Sequence, residues 1–239
     1  MSIAEKLQTI AENERKVYEA GKEAENKAFW ASVTGKGAAG REYICSFGGA
    51  AWNSTTFKPC YDIKPGNAYY MFRNNRAAID LAQLAEDMGI VIDFSGNYNF
   101  EGTFYDADFT RLPTIDFTKA SGMAYIFYYA SSLVTIDKMI VHEGLGYNNA
   151  DAFRCVNLVN IRFEGVIAKT LTLTYCSKLS VDSAKDIIAH LKNYLGTDKE
   201  QTYTLKFHET VWTKLEASGA APNGDTWKDY VQYTLGWKI

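Results

Sequence analysis

Apolar residues in this chain recur in blocks rather than in one continuous helical or strand-like pattern. Leu112, Leu133, Leu158 and Leu179 stand 21, 25 and 21 residues apart, and the first three open the blocks Leu-Pro-Thr-Ile-Asp, Leu-Val-Thr-Ile-Asp and Leu-Val-Asn-Ile-Arg. Leu112/Ile115, Leu133/Ile136 and Leu158/Ile161 are therefore pairs of constant internal spacing. A period of about 20–29 residues is that of a coil made of one short strand and its return loop. A single coil has no second layer against which to bury its leucines, and a neighbouring coil supplies one. Alignment on the leucines puts Ala130, Cys155 and Cys176 in one slot, three residues upstream, where only a small and fairly apolar side chain fits.

Around these blocks the pattern changes period. Asn75 is placed to cap a helix over 76–88, with Ile79, Leu84, Ala85 and Met88 on its apolar side and Gly89 at its end, and Ile90–Phe94 reads as the first coil strand. A second helix begins at Asp182 or Ser183, turns Ala184, Ile187, Ile188, Leu191 and Leu195 inward, and stops at Gly196. Tyr203–Phe207 alternates as a strand, Val211, Trp212 and Leu215 mark a short helix, and Tyr233–Ile239 closes the chain as a further strand. A stack of coils has open ends that template further pairing unless they are covered. The two helices are expected to flank or cover it, and the C-terminal strands to extend it.

The N-terminal segment has a different pattern. Ile3, Leu7, Ile10, Glu14, Val17, Gly21, Ala24 and Ala28 lie on one heptad stripe with a weak centre, since Glu14 is charged and Gly21 costs close to 1 kcal/mol of helix propensity. A single apolar stripe needs a partner, which is a second copy of the chain, another protein or the chain's own body. The residues expected to oligomerise are Ile3, Leu7, Ile10, Val17, Ala24 and Ala28. Gly35, Gly37 and Gly40 break the helix, so residues 1–33 form a stem, 34–40 a Gly-rich hinge and 41–239 the body. The glycines lack the Gly-Lys-Ser/Thr ending of a phosphate loop.

Composition narrows the function. The chain has 239 residues and a formal net charge of -3, with 25 basic and 28 acidic side chains and no dense Lys/Arg cluster, so nucleic acid is not an expected partner. No apolar run approaches the length of a membrane span, and the first turns carry Glu5, Lys6, Glu12, Glu14, Arg15 and Lys16 in place of a leader's apolar core. Cys155 and Cys176, one coil apart, are expected to stack about 5 Å apart, either as two reduced core residues or as a disulfide. Cys45 and Cys60 lack metal-ligand spacing. His142, His190 and His208 have no local ligand spacing, and no serine sits in a nucleophile elbow. Asp93, Glu101, Asp106, Asp108 and Asp116 are the carboxylates that a glycan-cleaving enzyme would have to pair. Neither cofactor nor metal is expected.

Binding remains. The chain has 16 tyrosines, many beside Asn, Ser or Gly. Side chains of a coil alternate between core and solvent, so Phe127 and Ala130 can point inward while Tyr128 or Tyr129 points out, although short coils also fill their interior with rings. The candidate ligand surface is Tyr125, Tyr128, Tyr129, Tyr147 and Asn148.

The blocks and their small-residue slot resemble the BspA-like leucine-rich repeat family, whose unit runs roughly Ala-Phe-x-x-Cys-x-x-Leu-x-x-Ile. A closer resemblance is to members encoded by phages and prophages of gut Firmicutes. It is carried by the opening Ile3–Gly21 and by Phe57-Lys-Pro59, Tyr61-Asp-Ile63, Met71-Phe-Arg-Asn-Asn75 and Ile92-Asp-Phe-Ser-Gly96. Departures from the unit are Ala130 for Cys, Leu173 for Phe, Phe153 one residue too close to Cys155, and a long 133–157 coil. The implied fold class is α/β, a leucine-rich-repeat-like solenoid of short parallel strands with flanking helices and an N-terminal helical stem. The implied function is that of a non-enzymatic virion-associated binding or structural protein, made in the bacterial host cytoplasm. Its partners would be itself, as a trimer after the threefold stems of phage appendages, other virion proteins, and host surface glycan or protein. The alternatives are a bacterial surface or lysis-released adhesin module, and a glycan-active enzyme.

Overall fold

Four buried phenylalanines, Phe72, Phe104, Phe127 and Phe153, form a column with ring centroids 5.4, 5.7 and 5.4 Å apart. The computed structural model describes residues 63–75, 78–89, 91–147 and 152–239, the backbone of 34–36 and 42–44, and seven positions of the N-terminal segment. Its architecture is mixed α/β, with short parallel strands and flanking helices.

The strands that follow the Phe column are β3 (Arg111–Leu112), β4 (Ile115–Asp116), β5 (Thr135–Val141) and β6 (Asn160–Gly165). β3 and β4 both pair in parallel with β5, and β6 pairs in parallel with β5 as well. Pro113, which has no N–H to donate, lies in the gap between β3 and β4. Leu112, Leu133, Leu158, Leu179 and Ile115, Ile136 and Ile161 are all buried.

The register corrects the leucine alignment at one step. Ile136 stands opposite Ile161, as aligned leucines require, but Leu112 stands opposite Ile136 and Ile115 opposite Met139. The first block is thus displaced by three residues from the predicted column. Val134 and Thr135 both donate to the Thr110 carbonyl, so the same register sets Phe109 beside Leu133. Phe109 also packs edge-on against Phe72 and Phe104. Its ring fills more core than the leucine it displaces, and burial of a large aromatic decides register where the local Leu-x-x-Ile motif does not.

A second ladder joins the turns of successive rungs. Tyr70, Phe72 and Asn74 donate to the carbonyls of Glu101, Thr103 and Tyr105, and Gly102, Phe104 and Asp106 donate to those of Ala124, Ile126 and Tyr128. Further parallel bridges join Ile63 to Ile92, Gly122 to Gly146 and Ile167 to Leu191. Stacking therefore reaches back at least to Ile63, earlier than the expected first strand at Ile90–Phe94, of whose described residues only Ile92 forms a bridge.

The helices are shorter than their apolar patterns. α1 (Leu81–Met88) is capped by Asp80, whose carboxylate accepts from Gln83 N–H at 2.8 Å, and not by Asn75. The reason is tertiary: Thr110 donates to the Ile79 carbonyl and Asp80 bridges Arg111, which holds this stretch extended before the helix can start. Gly89 ends α1 in the left-handed conformation, as expected. β7 (Leu171–Leu173) comes next, and then α2 (Val181–Ala189), which is capped by Ser180 and stops at His190 rather than Gly196. Ile167 takes both the His190 carbonyl and the Lys192 N–H, and this pulls Leu191 into a rung. Leu195, expected to face inward, is exposed.

β8 (Leu205–Phe207) pairs in parallel with β7, and α3 (Glu209–Ala217) buries Val211, Trp212 and Leu215. A helical turn, α4 (Trp227–Asp229), runs into a π-helical turn over Tyr230–Thr234, so the expected final strand begins with two helical residues, Tyr233 and Thr234. Only its end joins the stack, where Lys238 bridges Thr204.

At the N-terminus Thr9, Glu12, Asn13, Glu14, Lys16, Val17 and Gly21 are helical and exposed. β1 (Thr34–Lys36) and β2 (Glu42–Ile44) form an antiparallel pair, so the expected hinge begins in a strand. Ile3, Leu7, Ile10, Ala24 and Ala28 lie outside the described residues. Among the described residues no helix is long and apolar enough to cross a membrane.

Candidate functional site

The residue after each inward phenylalanine points out. Tyr105 follows Phe104, Tyr128 follows Phe127 and Arg154 follows Phe153, so the outer face of the turn ladder carries a row of rings and guanidinium groups. Tyr105 and Tyr128 stack with centroids 5.0 Å apart, and Tyr125 and Tyr129 pack edge-on against Tyr128. Arg73 lies 5.0 Å over the Tyr70 ring and 5.1 Å over that of Tyr105.

Arg154 sits between two rungs' rings. Its guanidinium carbon is 4.5 Å from the Tyr129 centroid and 4.9 Å from that of Tyr175, and it donates to the Tyr128 hydroxyl at 3.2 Å. A guanidinium held over aromatic rings gains from their quadrupoles. Tyr129, Arg154 and Tyr175 each stand four residues before a repeat leucine, so this column was present in the sequence as a slot.

Backbone strain marks the same face. Tyr70, Tyr125 and Tyr129 have φ of 50°, 54° and 58°, a region costly for bulky residues. The turn ladder aligns Tyr70 with Gly102 and Tyr125, and Asn74 with Asp106 and Tyr129. Thus positions that glycine, asparagine and aspartate occupy cheaply in some rungs carry tyrosine in others. Gly102 serves a further purpose, because a Cβ there would lie 2.2 Å from the Tyr70 ring, which rests across it. Beside these rings an open depression of about 290 Å³ is lined by Tyr98, Asn99, Glu101, Ser121, Gly122 and Ala124.

Of the predicted ligand residues, Tyr125, Tyr128 and Tyr129 come together on this face, with Tyr125 36% and Tyr129 45% exposed. Tyr147 does not belong to it. It is 3% exposed, its hydroxyl has no hydrogen-bond partner among the described residues, and burial pushes its phenol far above the ordinary range. Asn148 lies outside the described residues. Sequence reasoning missed Tyr70, Arg73, Tyr105, Arg154 and Tyr175.

Most other candidates for chemistry have structural tasks. Asp93 and Asp116 accept from the backbone of Ser95 and Thr118, and Asp108 accepts from the Ser132 hydroxyl. The Ser95 hydrogen bonds hold the Asp93 carboxyl below its usual range. His142 contacts the Ala120 carbonyl, His190 that of Asp186, and His208 caps α3 through Thr210 N–H. Cys155 and Cys176 are buried free thiols with sulfurs 3.7 Å apart, and burial raises the Cys155 pKa well above that of an ordinary thiol. Among the described residues no group of three or more His, Cys, Asp or Glu is placed to hold a metal ion.

The chain matches no protein-family model, no curated protein and no solved structure.

Proposed function

We propose that this chain is a BspA-like leucine-rich-repeat solenoid of the phage- or prophage-encoded kind. It serves as a virion-associated binding protein whose repeat face recognises host surface glycan or protein without turnover. The observation that carries the reading is the placement of Tyr125 and Tyr129 in left-handed backbone on an exposed face. Strain at a position where asparagine or glycine would sit more cheaply is a mark of a functional ring. Rigid amphipathic rings give contact area at small entropic cost. The exposure of Val17, at 73%, supports a stem whose apolar stripe is covered by a second copy or by another particle component.

The test is binding of the full chain to host envelope material, with Tyr125→Asn and Tyr129→Asn as variants. Asparagine tolerates the left-handed backbone, so folding is kept while the rings are lost. Each variant is expected to weaken binding about tenfold or more, as anchoring aromatics do. Unchanged binding, or release of cleaved glycan products by the wild-type chain, would overturn the reading.

A further inference from the structure

We infer that the face carrying Arg73 and Arg154 takes a carboxylate-bearing, uronic-acid polysaccharide laid along the stack. This rests on the proposed role of the tyrosine face in binding and specifies the class of ligand.

The argument starts from the arginines. Four fall among the described residues, and two of them are paired with acids: Arg111 grips Asp137 through two hydrogen bonds of 2.7 and 3.0 Å, and Arg162 lies 3.7 Å from Asp186. Arg73 and Arg154 take part in none of the described ion pairs. Instead both lie over tyrosine rings. A guanidinium held against aromatic rings still has its edge for a further group. That edge carries five N–H donors in a planar fork, and in Arg154 one of them goes to Tyr128. The planar fork matches a carboxylate, which accepts two parallel hydrogen bonds from it.

The rings prepare the edge as well as the charge. Tyr129 and Tyr175, 45% and 38% exposed, hold the Arg154 side chain from neighbouring rungs, so little rotamer freedom is lost when an anion docks. Arg73 sits three rungs earlier, about 14 Å away at ordinary strand spacing. A polymer with repeated carboxylates can reach both, and a single small anion cannot. Between them the surface offers phenol hydroxyls, together with the Asn99 and Ser121 side chains of the adjoining depression. Hydroxyl and amide groups beside arginine suit a hydroxylated acidic chain better than an apolar or purely charged peptide.

The experiment measures binding of the full chain to polygalacturonate, alginate and hyaluronan, with fully methyl-esterified polygalacturonate and poly-glutamate as comparisons. At least one of the three acidic polysaccharides is expected to bind, more weakly as salt is raised. Arg154→Gln combined with Arg73→Gln should lower that affinity about tenfold or more, with the thermal transition retained. The ester and poly-glutamate should bind at least as poorly as the double variant does. Binding of none of the three polysaccharides, equal binding of acid and ester, equal or tighter binding of poly-glutamate, or indifference to the double variant would each overturn the inference. Were the neutral ester to bind in a manner lost with Tyr129→Asn, the tyrosine face would remain a binding site and only the acidic class would fall. If Tyr129→Asn left binding to host envelope material unchanged, the proposed function itself would fail.

Discussion

The backbone N–H of Phe163 donates to the Asp186 carboxylate at 2.7 Å, so a helix side chain occupies the place where the next strand's carbonyl would be. Ser183 does the same for Ile161 at 3.0 Å. β6 would otherwise present unpaired donors along one edge, and α2 meets them with two side chains one helical turn apart. Asp186→Ala is expected to cost about 1–3 kcal/mol, since it leaves a partly buried donor without its acceptor. Asp186→Asn keeps an acceptor and should cost less. Urea unfolding measures both, and a loss under about 0.5 kcal/mol for the alanine variant would show that the helix does not close this edge.

Leu133→Ala and Leu158→Ala should each cost about 2–5 kcal/mol through lost burial and a residual cavity. Phe109→Ala should cost about 3–5 kcal/mol, because the observed register gives that ring the place next to Leu133. A double-mutant cycle separates the registers. Phe109 and Leu133 should couple, and Leu112 with Leu133 should couple less. The reverse order would restore the simple leucine alignment.

Tyr147 supplies a pH dependence. Its folded pKa is raised above the unfolded value of about 10, so the neutral phenol is the form that the core holds. The contribution is fully present below about pH 10 and is lost as pH rises from there through the folded pKa, because the unfolded chain releases the proton first. Tyr147→Phe should flatten this alkaline fall. It should also add about 1 kcal/mol at neutral pH by removing an unpartnered buried hydroxyl. Denaturant midpoints at pH 7 and pH 10.5 test both, and an unchanged alkaline slope would exclude Tyr147 as its source.

Cys155 and Cys176 should resist thiol reagents in the folded chain and react once it unfolds, since both sulfurs are buried out of a reagent's reach and burial also raises the Cys155 thiol above its ordinary range. Mass-spectrometric mapping of the labelled cysteines reads this site by site. Rapid labelling of either residue under native conditions would mean that the rungs between them open.

The stem is tested by sedimentation of the full chain against one that begins at Arg41. A concentration-dependent oligomer, a trimer in the first instance, is expected only when the stem is present. Two monomers would show that the stripe of Ile3, Leu7, Ile10 and Val17 docks elsewhere, and the same oligomer in both would place assembly in the body.

The sequence by itself determined which residues are interior along most of the stack. A repeat needs its apolar positions at a fixed spacing to bury them, and the leucines and isoleucines of the three blocks, Ala130, Cys155 and Cys176 are all buried. It also contained the Tyr129, Arg154 and Tyr175 column, legible once the blocks are aligned on their leucines. Only the tertiary structure decided which rung meets which. Leu-x-x-Ile fits two registers locally, and the Phe109 ring against Phe72 and Phe104 selects one. The same holds at the helix ends, where apolar periodicity continues to Leu195 but hydrogen bonds to Ile167 draw His190–Lys192 out of the helix. Tyr147 shows the limit most directly. Alternation says that some rings turn inward, but which ring does so depends on the direction of a turn set by its neighbours in space, and no pattern along the chain encodes that.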